Sequence, residues 1–206
     1  AGNCRIYAAV SRNLGNCRRV STIGDWLILF TPESTPGIAR TGGNVWRRVD
    51  DATPVWLSSS TEDWQGFPYQ EMISSGWHLF ILGDASLRVP SPVSPEELTH
   101  QVNLQTGSFL IFGWEVGSQN WHAWTDRFGT LHAYHARDGR RAALGTFSPA
   151  VVAAASQRQL DWEALAAWFA FGFFPADRTH TTDVRILRPA THYVFDQAGR
   201  MLHQER

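Results

Sequence analysis

The chain has 206 residues, 43% of them hydrophobic and 13% aromatic, which is enough for one sizeable core and a single domain over 1–206. Its formal net charge of −1 supplies no electrostatic footprint for nucleic acid or an anionic membrane. Apart from histidine every basic residue is arginine, and the lack of lysine excludes Schiff-base chemistry and a lysine-bearing phosphate loop.

The two cysteines, Cys4 and Cys17, are too few for a disulfide scaffold. No apolar run approaches the roughly 20 residues of a membrane helix, and the first residues lack the pattern of a secretory signal. The expectation is a cytoplasmic protein without a cofactor, and the arginine-only, alanine-rich composition suggests a bacterial source.

In chain order, the first part up to about residue 147 reads as strands. "CRIYAAVS" (4–11), "DWLILFTP" (25–32), "TPVWLSSS" (53–60) and "GWHLFILGD" (76–84) are short aromatic or β-branched runs bounded by Gly, Pro, Ser and Asp. A helix is expected at "SPEELTHQV", with Ser94 as N-cap, Pro95 at the first helical position and Glu97 completing a capping-box pattern. "SFLIFGWEVG" (108–117) and "NWHAWTDRFG" (120–129) read as a hairpin across a polar, Gly-led turn. "TLHAYHARDGRRAALGTF" (130–147) is expected to continue the meander, turning at Asp138-Gly139. Ser148-Pro149 and Asp161 open two further helices, the second stopping near Gly172 and Pro175. "DVRILRPATHYVFDQAGRMLHQ" returns to strands, with a turn over Asp196 to Gly199. Many strands, a few helices and a closing hairpin make this α+β, with a largely antiparallel sheet in a layered sandwich.

Several of these blocks carry a resemblance. "DRFGTLHAYHA" after "GSFLIFGWE" is similar to the "DRFG-x-x-P-L-Y-Y" segment that follows a "G-x-F-A-F" strand in the class II, N-terminal-nucleophile glutaminase domain of asparagine synthetase-type proteins. "DWEALAAWFAFGFFPADRTHTTDVRILRPATHYVFDQAGRM" resembles that family's exit segment, an Asp-initiated helix, a "G-y-x-P-x-x-r-T" corner and a closing strand pair. "WHLFILGDASLR" stands in the place of the family's Asn-Gly-Glu strand. The likeness runs from about Trp77 to Arg206 and is poor in the N-terminal third.

The resemblance implies a four-layer α-β-β-α sandwich of two mainly antiparallel sheets. It also implies glutamine hydrolysis by an N-terminal cysteine whose own α-amine is the base, with ammonia passing to a domain that adenylates a carboxylate. Such a nucleophile must be the first residue, and an oxyanion needs donors whose individual loss costs on the order of 100-fold in rate. Laid over the family's opening, "CRIYAAV" puts Cys4 at the nucleophile, but Ala1-Gly2-Asn3 precede it and Arg5 replaces a glycine. The Asn-Gly-Glu run is represented by Leu82-Gly83-Asp84, so Leu82 supplies no amide and the Gly83 N–H is the one donor left.

The expectation is therefore a non-catalytic glutaminase-like module serving a synthetase domain or a separate synthetase subunit, with a homodimer also open. Two alternatives remain: an active glutaminase with Cys4 exposed after removal of a short leader, and an unrelated β-rich binding domain. The family's Ser-Gly-Gly-x-Asp-Ser nucleotide loop is absent, so a truncated chain or a partner subunit is expected.

Each candidate also has a plain structural reading. Cys4 reads as a buried strand cysteine, and Asp84 as a strand-end turn residue. Asp126-Arg127 reads as a pair holding the hairpin corner. His122 lies on a different strand from His132 and His135, which three apart on one strand face opposite sides, so no metal site is expected. Trp114, Trp121 and Trp124 read as core or interface.

Overall fold

A computed structural model of the chain describes residues 27–30, 45–48, 55–59, 68–74, 76–87, 89, 93–139, 141–146, 151–152 and 159–206. The fold is α+β and strand-rich. Twelve described strands make two six-stranded antiparallel sheets. The first sheet holds β1 (Leu27–Phe30), β2 (Val45–Arg48), β3 (Val55–Ser59), β8 (Tyr134–Asp138), β9 (Arg141–Gly145) and β10 (Val184–Ile186), in the order β10-β8-β9-β1-β3-β2. The second holds β4 (Tyr69–Ser74), β5 (Trp77–Gly83), β6 (Phe109–Glu115), β7 (Asn120–Thr125), β11 (His192–Phe195) and β12 (Met201–Glu205), in the order β12-β11-β7-β6-β5-β4. Helix α1 (Pro95–Asn103) follows β5, and helix α2 (Trp162–Phe171) precedes β10. None of the described helices is long and apolar enough to cross a membrane.

The sheets face each other. Phe80 and Leu82 of β5, Leu110, Phe112 and Trp114 of β6, and Trp121 and Ala123 of β7 share one cluster with Ile28 and Phe30 of β1 and Ala142 and Leu144 of β9. Strand alternation sends the intervening residues to the outer face. There Trp77, Leu79, Ile81, Phe109, Ile111 and Trp124 pack under Leu98 and Val102 of α1. Gly113 of β6 makes room on that face, since a Cβ there would lie 2.9 Å from Leu79 and 3.0 Å from Trp124. On the outer side of the first sheet the helical pair 151–152 adds buried Val151 to Ala136, Ala143 and Val184.

Local chemistry explains why these segments stop and start where they do. The Ser94 hydroxyl accepts the Glu97 N–H at 3.2 Å and caps α1. The other arm of a capping box does not form with Glu97, whose carboxylate accepts from Gln101 instead. Asp161 caps α2 by accepting the Ala164 N–H at 3.0 Å, and Gly172 ends it at φ 78°.

Two expectations need correction, and two strands add to them. The "TDRFGTLHAYHA" stretch does join two strands, but Thr125 ends β7 in one sheet and Tyr134 begins β8 in the other, so the corner is a crossover between sheets and not a meander. His132 precedes β8 and lies on no strand. Strands β2 and β4 had no reading in the sequence; both are sheet edges, where "VWRR" and "YQEMIS" need show no buried periodicity. The expected strand at 4–11 and the cap at Ser148-Pro149 lie outside the described residues.

Asp126 holds the crossover alone. Its fully buried carboxylate accepts from four donors: the N–H groups of Phe109 (3.3 Å), Phe128 (2.7 Å) and Thr130 (3.0 Å) and the Thr130 hydroxyl (3.3 Å). Arg127 is exposed and makes no ion pair with Asp126 among the described residues. Replacing Asp126 by Ala leaves three backbone N–H groups without their acceptor, and each buried loss costs about 1–3 kcal/mol. The expected result for Asp126→Ala is a stability loss of roughly 3 kcal/mol or more, read from the urea-unfolding midpoint.

Candidate functional site

Two places carry polar chemistry worth weighing: the corner at the end of β5, where the family resemblance puts a donor pair, and a histidine cluster beneath α1.

At the β5 corner the chain turns sharply after Leu82, whose side chain is buried in the core between the sheets. Gly83 adopts φ +95°, and a Cβ on it would sit 2.0 Å from the Ser108 carbonyl, so only glycine fits. The Gly83 N–H donates to the Pro68 carbonyl at 2.8 Å and the Asp84 N–H to the Ser108 carbonyl at 2.9 Å. Asp84 itself is exposed and packs near Gly107, where a Cβ would lie 3.3 Å from the Asp84 Cβ. The one backbone donor that the resemblance leaves, the Gly83 N–H, is thus engaged inside the corner. Cys4 lies outside the described residues.

The second cluster sits on the outer face of the second sheet. His192 of β11 pairs in register with Trp124 of β7, and the two rings stack at 4.8 Å. His122, two residues before Trp124, projects from the same face and stacks on both rings, 5.4 Å from Trp124 and 5.1 Å from His192. Trp77 closes the edge, 4.9 Å from His122. From above, Thr99 of α1 meets this face. Two indoles secure the helix segment: Trp77 Nε1 donates to the Val93 carbonyl at 3.1 Å and Trp124 Nε1 to Thr99 Oγ1 at 3.1 Å.

A chain of polar contacts runs through these residues. Thr99 Oγ1 is 3.4 Å from His192 Nδ1, His192 Nε2 is 2.9 Å from His122 Nδ1, and His122 Nε2 is 3.5 Å from Glu115 Oε2. The Glu115 carboxylate favours one direction of donation along the chain. An indole N–H only donates and a carboxylate only accepts. In the direction that the Glu115 carboxylate favours, the Thr99 hydroxyl receives Trp124 and gives its own proton to His192 Nδ1. His192 Nε2–H donates to His122 Nδ1, and His122 Nε2–H points at Glu115. The opposite direction would turn a lone pair of His122 toward the Glu115 carboxylate. At 3.5 Å the last contact is electrostatic only, so His122 Nε2 has no hydrogen-bond partner.

Electrostatics say what this chain can do. Burial, opposed by the Glu96 carboxylate, lowers His122 to about 4. Burial, reinforced by His122 and His203, lowers His192 to about 3. Both rings are neutral at pH 7 and bind protons weakly, which suits a structural latch better than a general base. No three-residue His, Cys, Asp or Glu group able to hold a metal occurs among the described residues. An open cleft of about 370 Å³ lies elsewhere, lined by Ala176, Arg188, Pro189, Thr191 and 204–206; its Arg188 is paired with Asp177 at 3.1 Å.

The sequence pointed to His122 but grouped it with His132 and His135. His135 is buried in the other sheet, against the Gly199 carbonyl at 2.9 Å. The true neighbours, His192 and Thr99, stand 70 and 23 positions away along the chain, and no local spacing announces them. Trp114 and Trp121 are core between the sheets, and Trp124 is core beneath α1.

No protein-family model matches the chain, and no curated protein matches it.

The His122–His192 pair sets a pH dependence whose sign follows from linkage. Both folded values lie below the ordinary 6.5, so the unfolded chain binds more protons as the solution acidifies. The stability these neutral rings contribute is complete above pH 6.5 and is lost as pH falls through the folded values. A urea series is expected to show a loss on the order of 3 kcal/mol for each of the two histidines between neutrality and pH 4, with the slope reduced in His122→Phe. At constant neutral pH, Thr99→Val strands the Trp124 N–H and is expected to cost about 1–3 kcal/mol by thermal or urea unfolding.

Proposed function

We propose that the chain is a non-catalytic glutaminase-like domain of the asparagine synthetase N-terminal type. On this reading it is built as a four-layer α-β-β-α sandwich and supports an ATP-dependent, amide-forming synthetase domain or partner subunit. The observation that carries the reading is the β5 corner. A working site needs donors aimed at a developing oxyanion, yet here the Leu82 side chain has no donor and the Gly83 N–H is bound to the Pro68 carbonyl.

Two further features support the family frame. The facing antiparallel sheets, with helical residues on the outer side of each, agree with such a sandwich. The "DRFG" and "PADRT" blocks sit at corners with defined structural work: Asp126 secures the crossover between sheets, and Arg178 ties the exit loop to the Asp161 cap through its Nε at 2.8 Å.

The test is glutamine hydrolysis by the purified chain. Glutamate release is expected to stay at background and to be the same in Cys4→Ala. A glutamine-mimicking electrophile is expected to leave the intact mass unchanged. Hydrolysis that disappears in Cys4→Ala, with label on a cysteine freed of Ala1 to Asn3, would instead establish the active, processed glutaminase.

A further inference from the structure

Helix α1 is attached to the sandwich and is not part of its centre. Its buried residues, Leu98 and Val102, belong to the outer cluster with Trp77, Leu79, Ile81 and Trp124, whereas the cluster between the sheets contains no residue of the helix. Nine residues are also too few for a helix to persist alone in water. The helix can therefore lift while the sheets stay paired, a sub-global opening of the kind that native proteins make.

Its polar attachment runs through titratable rings. Thr99 receives the Trp124 indole at 3.1 Å and lies 3.4 Å from His192 Nδ1, and His192 stacks flat on Trp124. His192 Nε2 and His122 Nδ1 are 2.9 Å apart, a gap that holds one hydrogen. One added proton is accommodated, because Thr99 Oγ1 can accept from His192 Nδ1 as well as from Trp124. A second sets N–H against N–H and puts two cations in stacked rings 5.1 Å apart. We propose that this histidine pair is an acid-operated latch: protonation of both rings frees helix α1 from the outer face of the second sheet while the sandwich stays folded. What the latch uncovers is the apolar face of Trp77, Leu79, Ile81 and Trp124.

The surroundings do little to hold the second proton. His122 faces Glu115 of β6 at 3.5 Å, and the exposed Glu96 of α1 acts on it from further away. On the His192 side β12 presents His203, which opposes protonation, and Glu205, which lies opposite His192 in register and 3.8 Å from His203. From β5 comes Trp77 alone, and His100 of α1 is exposed. Burial outweighs these charges and keeps His122 at about 4 and His192 at about 3, whereas both regain the ordinary 6.5 once the helix lifts. The closed state is thus favoured above pH 6.5 and loses ground as pH falls, because the open state binds two more protons. The latch involves α1 and the second sheet only and stands whether or not the chain is glutaminase-like.

Hydrogen exchange on the full chain, resolved by peptide and corrected for intrinsic rate, tests this between pH 6 and pH 5. Amides 98–103 of α1 are expected to open in a separate step, at least about tenfold more often than amides 109–115 of β6. The α1 opening constant is expected to rise roughly 50-fold over that pH unit in the native chain. In His192→Phe, which keeps a ring on Trp124 and takes up no proton, the rise is expected to fall to roughly 7-fold. The proposal is overturned if α1 and β6 share one opening constant at both pH values, or if the native α1 slope is that of one proton or fewer. A slope unchanged in His192→Phe overturns it too. The comparison of α1 with β6 needs no variant, so it decides the matter even if His192→Phe does not fold.

Discussion

The fold depends on a buried carboxylate that no cation among the described residues pairs with. Asp126 is removed from water at the point where the chain leaves one sheet for the other, and a lone buried charge there would be costly. It is tolerated because its oxygens receive backbone N–H groups from the start of β6 and from the loop that follows β7. Its backbone is pinned as well: the Asp126 N–H donates to Phe109, and its carbonyl accepts from Gly129 and Ala190. Segments before, within and after the crossover thus meet at one residue. The two sheets face each other with a common core because this corner fixes where the second begins relative to the first.

The outer face of the second sheet shows a different solution to burying polar groups. Helix α1 covers it mainly through Leu98 and Val102, but two indoles, a threonine and two histidines sit in the same contact. A donor-only indole starts the row at Thr99, and the Glu115 carboxylate at the other end favours an N–H on the His122 nitrogen that faces it. The histidines are neutral for the same reason the face is dry, since burial raises the cost of charging them. Gly113 belongs to this arrangement: its missing side chain lets Trp77 and Trp124 reach positions from which they hold the helix.

Chemistry and surface point in different directions along this chain. Where a glutaminase would aim donors at substrate, the β5 corner turns its N–H groups inward to the Pro68 and Ser108 carbonyls and buries Leu82. Where an isolated domain would bury aromatic rings, α2 turns them outward. The two observations come from different parts of the chain, and neither depends on the other.

Much of the architecture was legible from residues near one another. The runs at 76–84, 108–117 and 120–129 announced β5, β6 and β7, and Ser94, Asp161 and Gly172 marked helix ends, because strand alternation and cap chemistry are settled within a few positions. Other features depend on groups far apart in the chain. Nothing local separates a hairpin corner from a crossover between sheets at Asp126. His122 and His192 become partners only once β7 and β11 lie side by side. Edge strands such as β4 contribute hydrogen bonds more than buried side chains, so their sequence carries no period to read. The apolar face of α2 looks like core in the sequence, and only the packing of everything else leaves it exposed: periodicity records that a side chain avoids water, while the assembled sheets decide whether there is anywhere for it to go.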